Sequence, residues 1–211
     1  MSDYFCVAID PGVSGALAAI WSGGAEAFDT PTIAIRTGGK TKSGNPKKKR
    51  EYNEQLILRL LQTWKVQAAA LSLPLSAVIE DVHAMPKDSK PGCFTFGESK
   101  GIWRGMLAAL QIPYQLVRPE TWRPAMVGRG TDKAASLVAA QRLFPTIDLS
   151  KKNDHNRAEA LLMAQYLRQK LAGRRPGTEN DDQAGTVRPS RAGRHKAVRV
   201  SLLLPELDES V

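Results

Sequence analysis

The sequence has few cysteines and no long hydrophobic run, and both absences exclude classes of protein. Cys6 and Cys93 are the two cysteines in 211 residues, and neither belongs to a C-x-x-C pair. A disulfide framework and a structural zinc site are therefore excluded. The most apolar window, residues 66–79, is interrupted by polar residues and proline, and it is too short to span a bilayer. Since the first residues also lack a signal-peptide pattern, we expect a cytoplasmic protein that makes no membrane contact.

Acidic residues are scarcer than basic ones, and this imbalance favours a polyanionic partner. Asp plus Glu is 21 and Lys plus Arg is 30, which gives a formal net charge of +9. Nucleic acid is the commonest polyanion that such a surface binds. Residues 172–211 carry seven basic and six acidic groups, so most of the excess charge falls on the preceding part of the chain. With 42% hydrophobic residues, the sequence is long and apolar enough for one folded α/β domain.

Short apolar runs that alternate with helical spacings predict this α/β class. Residues 4–10 form an apolar run that ends in Asp10 before a Pro-Gly turn, which is typical of a buried strand. The other predicted strands are 15–20 and 25–28, which complete a meander, then 75–83 and 113–118. The first predicted helix starts at Asn53. The other three cover 99–110, 132–144 (with Thr131 as N-cap) and 154–171.

Two segments have compositions that predict no regular structure. Residues 36–50 contain seven Lys or Arg, no acid, three Gly and one Pro, which predicts a mobile basic loop. Residues 173–200 have too few apolar groups to offset the entropy of ordering, and an acidic-hydrophobic peptide ends the chain. We therefore predict a folded domain over 1–172 and a flexible basic linker and tail over 173–211. Whether the tail binds a partner or is inert stays open.

Three acidic residues occupy positions where the pattern favours apolar side chains. Asp10 ends the first strand, Glu80 lies in the fourth, and Glu159 lies in the apolar part of the last helix. A lone carboxylate in such a place is costly unless it is paired or binds a cation. Taken singly, the three could cap a turn, pair with a cation or face water. Together they suit two Mg²⁺ ions about 3.5–4 Å apart, an arrangement that hydrolyses phosphodiesters.

The start of the last helix offers further ligands. At about 100° per residue, His155 lies about 40° around the helix from Glu159, so both side chains can face one point. Asn156 lies on the same side. Asp154 is roughly 140° away unless it precedes the first turn. Asp154 is therefore either a helix N-cap or a ligand, and His155 is either a ligand or a surface histidine.

In this order, these residues resemble the RuvC-type Holliday junction resolvases, and most closely the phage and prophage members that end in D-[DH]-x-R-A-[DE]-A-L. The likeness covers about residues 4–171. The matching segments are residues 8–15 (AIDPGVSG), 78–82 (VIEDV) and 154–161 (DHNRAEAL), with residues 99–110, 117–119 and 131–133 in the corresponding order. Asp-Pro-Gly alone is a weak signal, whereas the three motifs in sequence are fairly specific for the superfamily.

The resemblance implies an RNase H-like fold, with a central mixed five-stranded sheet flanked by helices. It further implies a homodimeric, Mg²⁺-dependent crossover junction endodeoxyribonuclease that resolves four-way DNA junctions by paired nicks, with Mn²⁺ as a substitute metal. Carried over, Asp10, Glu80 and Glu159 are the first, second and last catalytic ligands. Cellular members place an acid or His three residues before the last acid, where this chain has Asn156. Asp154 or His155 must substitute, and which of them does so stays open.

The resemblance also suggests DNA contacts. The run Lys47, Lys48, Lys49 and Arg50 would contact phosphates rather than bases, or else serve only solubility. Arg129, in the Gly-rich segment before Lys133, is a further candidate DNA contact. Lys133 is either beside a phosphate or a solvated lysine at the start of a helix.

Two aromatic residues have alternative roles. Phe94 and Phe96 either wedge into the junction or, as we favour, pack against a helix or dimer partner.

Three other functions compete with that of a resolvase. An RNase H-like nuclease for RNA–DNA hybrids or flaps would use the same ligands. A junction-binding protein with a decayed metal site would account for the irregular third ligand. An actin-like ATPase is disfavoured, because the chain is too short for the second domain.

Overall fold

The computed structural model describes residues 3–83, 89–130, 133–151 and 154–173. The strands are β1 (Phe5–Asp10), β2 (Ala16–Trp21), β3 (Gly24–Asp29), β4 (Thr32–Lys40), β5 (Pro46–Tyr52), β6 (Leu75–Glu80) and β7 (Tyr114–Val117). The helices are α1 (Glu54–Ala70), α2 (Lys90–Ala109), α3 (Pro119–Val127), α4 (Lys133–Leu143) and α5 (His155–Leu171). Among the described residues, no helix has the length and apolar composition needed to cross a membrane.

Five strands form one mixed sheet in the order β3-β2-β1-β6-β7. β1, β2 and β3 pair antiparallel, whereas β6 pairs parallel with both β1 and β7. The prediction of a meander followed by two further strands in a five-stranded sheet with flanking helices is confirmed. Because β1 and β6 run parallel, their carboxyl ends lie at the same edge of the sheet.

Helices cover both faces of this sheet, and the alternation of side chains divides the core in two. On β1, Val7 and Ile9 pack with α1 and α2, whereas Cys6 and Ala8 pack with α3, α4 and α5. Helix α5 contacts the sheet on one side and α3 and α4 on the other, so nearly all of it from Ala158 to Leu167 is buried. A polar residue on α5 is thereby held in the interior of the protein.

The predicted mobile loop at residues 36–50 is wrong. β4 and β5 form an antiparallel two-stranded ribbon, and its turn is closed by hydrogen bonds from Thr41 N to Asn45 O (2.8 Å) and from Gly44 N to Thr41 O (2.9 Å). Gly44 has a φ of +83°, which glycine adopts without strain. Cross-strand backbone bonds satisfy this segment without burying side chains, which is why its polar composition was misleading.

The helices also differ from the predicted ones. Helix α2 begins nine residues earlier than predicted, because the Ser89 side chain accepts a hydrogen bond from Gly92 N and Pro91 lies in the first turn. Gly92 and Gly97, in the first part of this helix, obscured the helical spacing in the sequence. Helix α3 was not predicted, and its Pro124 lies inside the helix. The predicted N-cap Thr131 and residues 174–211 of the predicted tail lie outside the described residues.

The turn between β1 and β2 requires glycine at position 15. A Cβ added to Gly15 would lie 2.0 Å from the carbonyl oxygen of Asp10, which is a backbone atom and cannot move aside cheaply. Gly15 N also donates to Gly12 O at 3.0 Å. The close approach fixes the backbone that carries Asp10.

We therefore expect Gly15→Ala to lower the free energy of unfolding by about 2 kcal/mol or more, measured by urea denaturation. Gly38→Ala is the matched control, since no described atom lies within 4 Å of the added Cβ. A Gly15 variant as stable as the Gly38 variant would contradict this account of the turn.

Candidate active site

Asp10 and Glu80 are the last residues of neighbouring parallel strands. The register pairs Ile9 with Ile79, so Asp10 and Glu80 follow at equivalent positions. Ala8 and Val78 face α5, and since side chains alternate, Asp10 and Glu80 face the same side. Asp10 is half-buried and Glu80 is 8% exposed. The topology thus brings two residues 70 positions apart in sequence to one edge of the sheet.

Glu80 lies in an environment that disfavours its charge. Burial raises the pKa of Glu80 above its usual value, and the nearby Glu159 carboxylate raises it further. The Trp122 indole opposes this shift by donating a hydrogen bond to Glu80 Oε1 at 2.9 Å. Glu80 and Glu159 are therefore close enough to interact electrostatically, and the pair would gain from a cation.

Arg123 supplies a positive charge at this point. Its guanidinium donates to Glu159 Oε1, and it also lies over the Trp122 ring, 5.6 Å from the ring centroid. The two adjacent residues of α3 thus contact Glu80 on β6 and Glu159 on α5. Neither residue was predicted to belong to the site, because α3 was not predicted. The feature that could have indicated them is the Trp-Arg pair that follows Arg118-Pro119.

The first turn of α5 adjoins the loop after Asp10. Asn156 Nδ2 donates to the backbone oxygen of Ser14, which lies in that loop. His155, the first residue of α5, is half-buried. Since His155 and Glu159 are four residues apart on one helix, both lie on the helical face of the candidate site.

Asp154 is at the N-cap position of α5, but its side chain makes no hydrogen bond to the helix N-terminus. Its carboxylate accepts from Lys151 N at 2.9 Å and from the Arg157 guanidinium, and the residue is 2% exposed. Arg157 also lies 3.3 Å from Asp29 Oδ1, at the end of β3. The described contacts of Asp154 therefore hold the turn before α5 to the far edge of the sheet.

The residue after Glu80 has a different environment. Asp81 contacts Lys100 Nζ, and His83 Nε2 and Arg118 Nε lie 3.3 and 4.0 Å from Asp81 Oδ2. The hydrogen bond from Lys100 holds the pKa of Asp81 below its usual value. Arg118 is more than half exposed, so its positive charge at this edge of the sheet is presented to solvent.

The predicted DNA-contacting residues lie on β5 and at or before the start of α4. Lys47, Lys48, Lys49 and Arg50 are exposed on β5, and Arg129 is exposed in the turn between α3 and α4. Lys133 begins α4, and its side chain lies outside the described residues.

The two aromatic residues with alternative roles are on α2. The Phe94 and Phe96 side chains are 74% and 40% exposed, so they are not buried against a neighbouring helix of this chain.

The donor set at the centre has the chemistry of a hard-cation site. Among the described residues, no group of three or more His, Cys, Asp and Glu side chains is arranged to hold a metal ion. Asp10, Glu80 and Glu159 nevertheless offer carboxylate oxygens, which Mg²⁺ and Mn²⁺ prefer. The raised pKa of buried Glu80 shows that its charge is unfavourable in the protein alone, whereas Arg123 balances the charge of Glu159.

Neutralising Glu80 should therefore stabilise the metal-free protein. Below its ordinary pKa of 4.5, Glu80 is protonated in the folded and unfolded states alike and the charge costs nothing. Above pH 4.5, the raised folded pKa makes ionisation destabilise the folded state. We expect Glu80→Gln to raise the melting temperature in EDTA at pH 8 and to have a smaller effect at pH 5, measured by calorimetry.

Glu54→Gln provides the control, because Glu54 is exposed in the first turn of α1, where its charge is favourable. An equal or lower melting temperature for the Glu80 variant at pH 8 would show that its charge is already compensated.

Comparisons with known proteins support the fold. No family model matches the chain, and no curated protein matches it. A structure of T. thermophilus RuvC in complex with Holliday junction substrate matches with a TM-score of 0.54 and 13% identity. The match covers 81% of this chain and 96% of that chain. A second Thermus thermophilus RuvC structure covers 79% and 96%, with 13% identity and a TM-score of 0.44. The first of these matches shows that the chain has the RNase H-like fold found in RuvC.

Proposed function

We propose that this chain is a divalent-metal-dependent endonuclease that resolves four-way DNA junctions by paired nicks. Two observations in a fold shared with RuvC carry the proposal: Asp10 lies beside Glu80 at one sheet edge, and Glu80 interacts electrostatically with Glu159. The structural neighbour is a RuvC in complex with Holliday junction substrate. The formal charge of +9 suits the same polyanionic partner.

Asp10, Glu80 and Glu159 are the residues that would hold the metal, with His155 as the fourth ligand. His155 is preferred to Asp154 because Asp154 is nearly fully buried and contacts Lys151 and Arg157. With Mg²⁺ or Mn²⁺ held by these residues, the site would supply a metal-activated water and stabilisation of the leaving oxygen of the phosphodiester. The products are nicks with 5′-phosphate and 3′-hydroxyl ends, and no covalent enzyme–DNA intermediate forms.

The chain's cations have separate roles in this proposal. Arg123 balances Glu159, and a guanidinium at this position can donate two hydrogen bonds to a phosphate oxygen pair near the metals. Exposed Arg129, with Lys133 at the start of α4, contacts the DNA backbone beside the site. These contacts position the substrate without reading its sequence. The biological setting is recombination, repair or phage DNA processing in the cytoplasm.

Paired nicks require two active sites, and we propose a homodimer that packs through α2. Phe94 is the most exposed large apolar side chain among the described residues. No described atom lies within 4 Å of a Cβ added at Gly97, Gly101 or Gly105, so this side of α2 is open. Small residues allow the backbones of two helices to approach closely.

Asp10→Asn should abolish cleavage while binding persists. Loss of a metal-holding carboxylate removes several kcal/mol of transition-state stabilisation, so we expect at least a ~10³-fold slower nicking rate. The measurement is gel analysis of a synthetic four-way junction with Mg²⁺, with anisotropy to follow binding. EDTA should abolish cleavage by the unchanged protein.

The substrate assignment has its own control. RNA–DNA hybrid and flap DNA are added as competitors, and the junction should be cut preferentially with symmetric nicks. Preferential cleavage of the hybrid or flap would replace resolvase activity by that of another RNase H-like nuclease. Full activity of the Asp10 variant would contradict the metal site itself.

Phe94→Ser should weaken the dimer. Removing a large apolar side chain from the core of an interface costs more than 1 kcal/mol in typical cases, so we expect at least a ~5-fold higher dissociation constant by sedimentation. Val138→Ser is the matched control, since Val138 is 66% exposed on α4. Equal dissociation constants for the two variants would contradict packing through α2.

A second candidate, a junction-binding protein without metal chemistry, is favoured by one observation. Arg123 contacts the Glu159 carboxylate that a metal would need, and the described residues contain no ready metal group. Calorimetric titration with Mn²⁺ separates the two functions. Binding at low-millimolar concentration or tighter supports the nuclease, whereas no binding supports the second candidate.

A further inference from the structure

The ribbon formed by β4 and β5 has two chemically different faces. Its register pairs Ala34 with Arg50 and Arg36 with Lys48, and it pairs Ile35 with Lys49 between them. Since successive side chains on a strand point to opposite faces, Lys48 and Arg50 share one face and Lys49 lies on the other. The run Lys47–Arg50 is therefore not one continuous basic patch.

One face, which we call the basic face, carries Arg36, Lys48 and Arg50. Among the paired ribbon residues it includes no acidic side chain. Arg36 and Lys48 are direct cross-strand partners, and like charges in that position destabilise a ribbon. A bound polyanion would relieve the repulsion, so this pair favours a negatively charged partner.

The opposite face carries less net charge. By the same alternation, Lys47, Lys49 and Glu51 lie on it, and Lys49 Nζ is 3.4 Å from Glu51 Oε1. Ile33 and Ile35, 45% and 37% exposed, are the β4 residues paired on this face. A polyanion would therefore gain less from contact with this face than with the basic face.

The base of the ribbon is tied to the candidate active site. Tyr52 is buried, and its hydroxyl donates to Ser99 Oγ at 2.6 Å. Asn53 N donates to Pro31 O at 3.0 Å and closes the two strands. Arg50 donates to Ser14 Oγ, in the loop that follows Asp10. The basic face thus begins at the loop that directly follows Asp10, the first candidate metal ligand.

From this geometry we infer that the basic face binds the phosphate backbone of the DNA arm that leads away from the cleaved phosphate. The inference rests on the proposed nuclease function and deepens it. Lys48 and Arg50 are about 7 Å apart along the strand, the rise of two nucleotides of one DNA strand. The backbone of one arm can therefore run along Arg50 and Lys48, with Arg36 beside Lys48 across the ribbon.

The test compares neighbouring lysines of the same strand. Lys48→Ala and Lys49→Ala remove the same charge from opposite faces, and both side chains are exposed, so folding should be retained. Affinity for a labelled four-way junction is measured by anisotropy in EDTA over 50–300 mM salt, in the full chain. Near 0.1 M salt we expect about tenfold weaker binding for Lys48→Ala, with a salt slope lower by about 1, and at most about twofold for Lys49→Ala.

The double variant Arg36→Ala/Lys48→Ala should lower the salt slope by about 2. An equal loss of affinity in the Lys48 and Lys49 variants, or a larger loss in the Lys49 variant, would overturn the inference. The proposed nuclease function would still stand if the unchanged protein cleaves the junction. Failure of the unchanged protein to bind the junction would overturn the proposed function, and this inference with it.

Discussion

Two buried carboxylates that interact electrostatically, Glu80 at the end of β6 and Glu159 on α5, are the constraint on which the candidate site depends. Glu80 and Glu159 are 8% and 7% exposed, so solvent screens neither charge well. Trp122 and Arg123 compensate this charge within the chain, the first by a hydrogen bond and the second by an ion pair. Such an arrangement contributes little to stability, and in our proposal its advantage is that it concentrates negative charge for a hard cation.

The fold maintains this arrangement by burying the helix that carries Glu159. Helix α5 lies between the sheet and two other helices, so the position of Glu159 relative to β1 and β6 is set by apolar packing. The alternation of side chains then separates Glu80, the last residue of β6, from Asp81, which follows it. Glu80 faces α5, whereas Asp81 is held by Lys100. One strand end thus serves two electrostatic purposes.

Charge outside the centre is organised by strand geometry in the same way. The ribbon presents three cations and no acid on one face, and two lysines, one glutamate and two isoleucines on the other, although the sequence shows only a block of lysines. Its anchoring through Tyr52 and Arg50 fixes the ribbon next to the loop after Asp10. Electrostatic attraction to DNA and the chemistry at the carboxylates are therefore spatially continuous in our proposal.

Periodicity in the sequence determined the five strands of the sheet and the long terminal helix, because both are driven by burial of regularly spaced apolar residues. The same pattern identified Asp10, Glu80 and Glu159 as anomalous, since an acid interrupts each apolar run. Local composition could not reveal the ribbon, whose stability comes from backbone bonds between strands, or α3, whose Pro124 breaks the helical pattern.

Only the tertiary structure decided what surrounds each acid. Arg123 and Trp122 reach Glu159 and Glu80 across 36 and 42 residues of sequence. Asp154 contacts Arg157 and Lys151, and Asn156 contacts the loop after Asp10. Contacts between distant residues depend on the packing of whole elements, whereas the sequence pattern reports only which face of its own element a residue occupies.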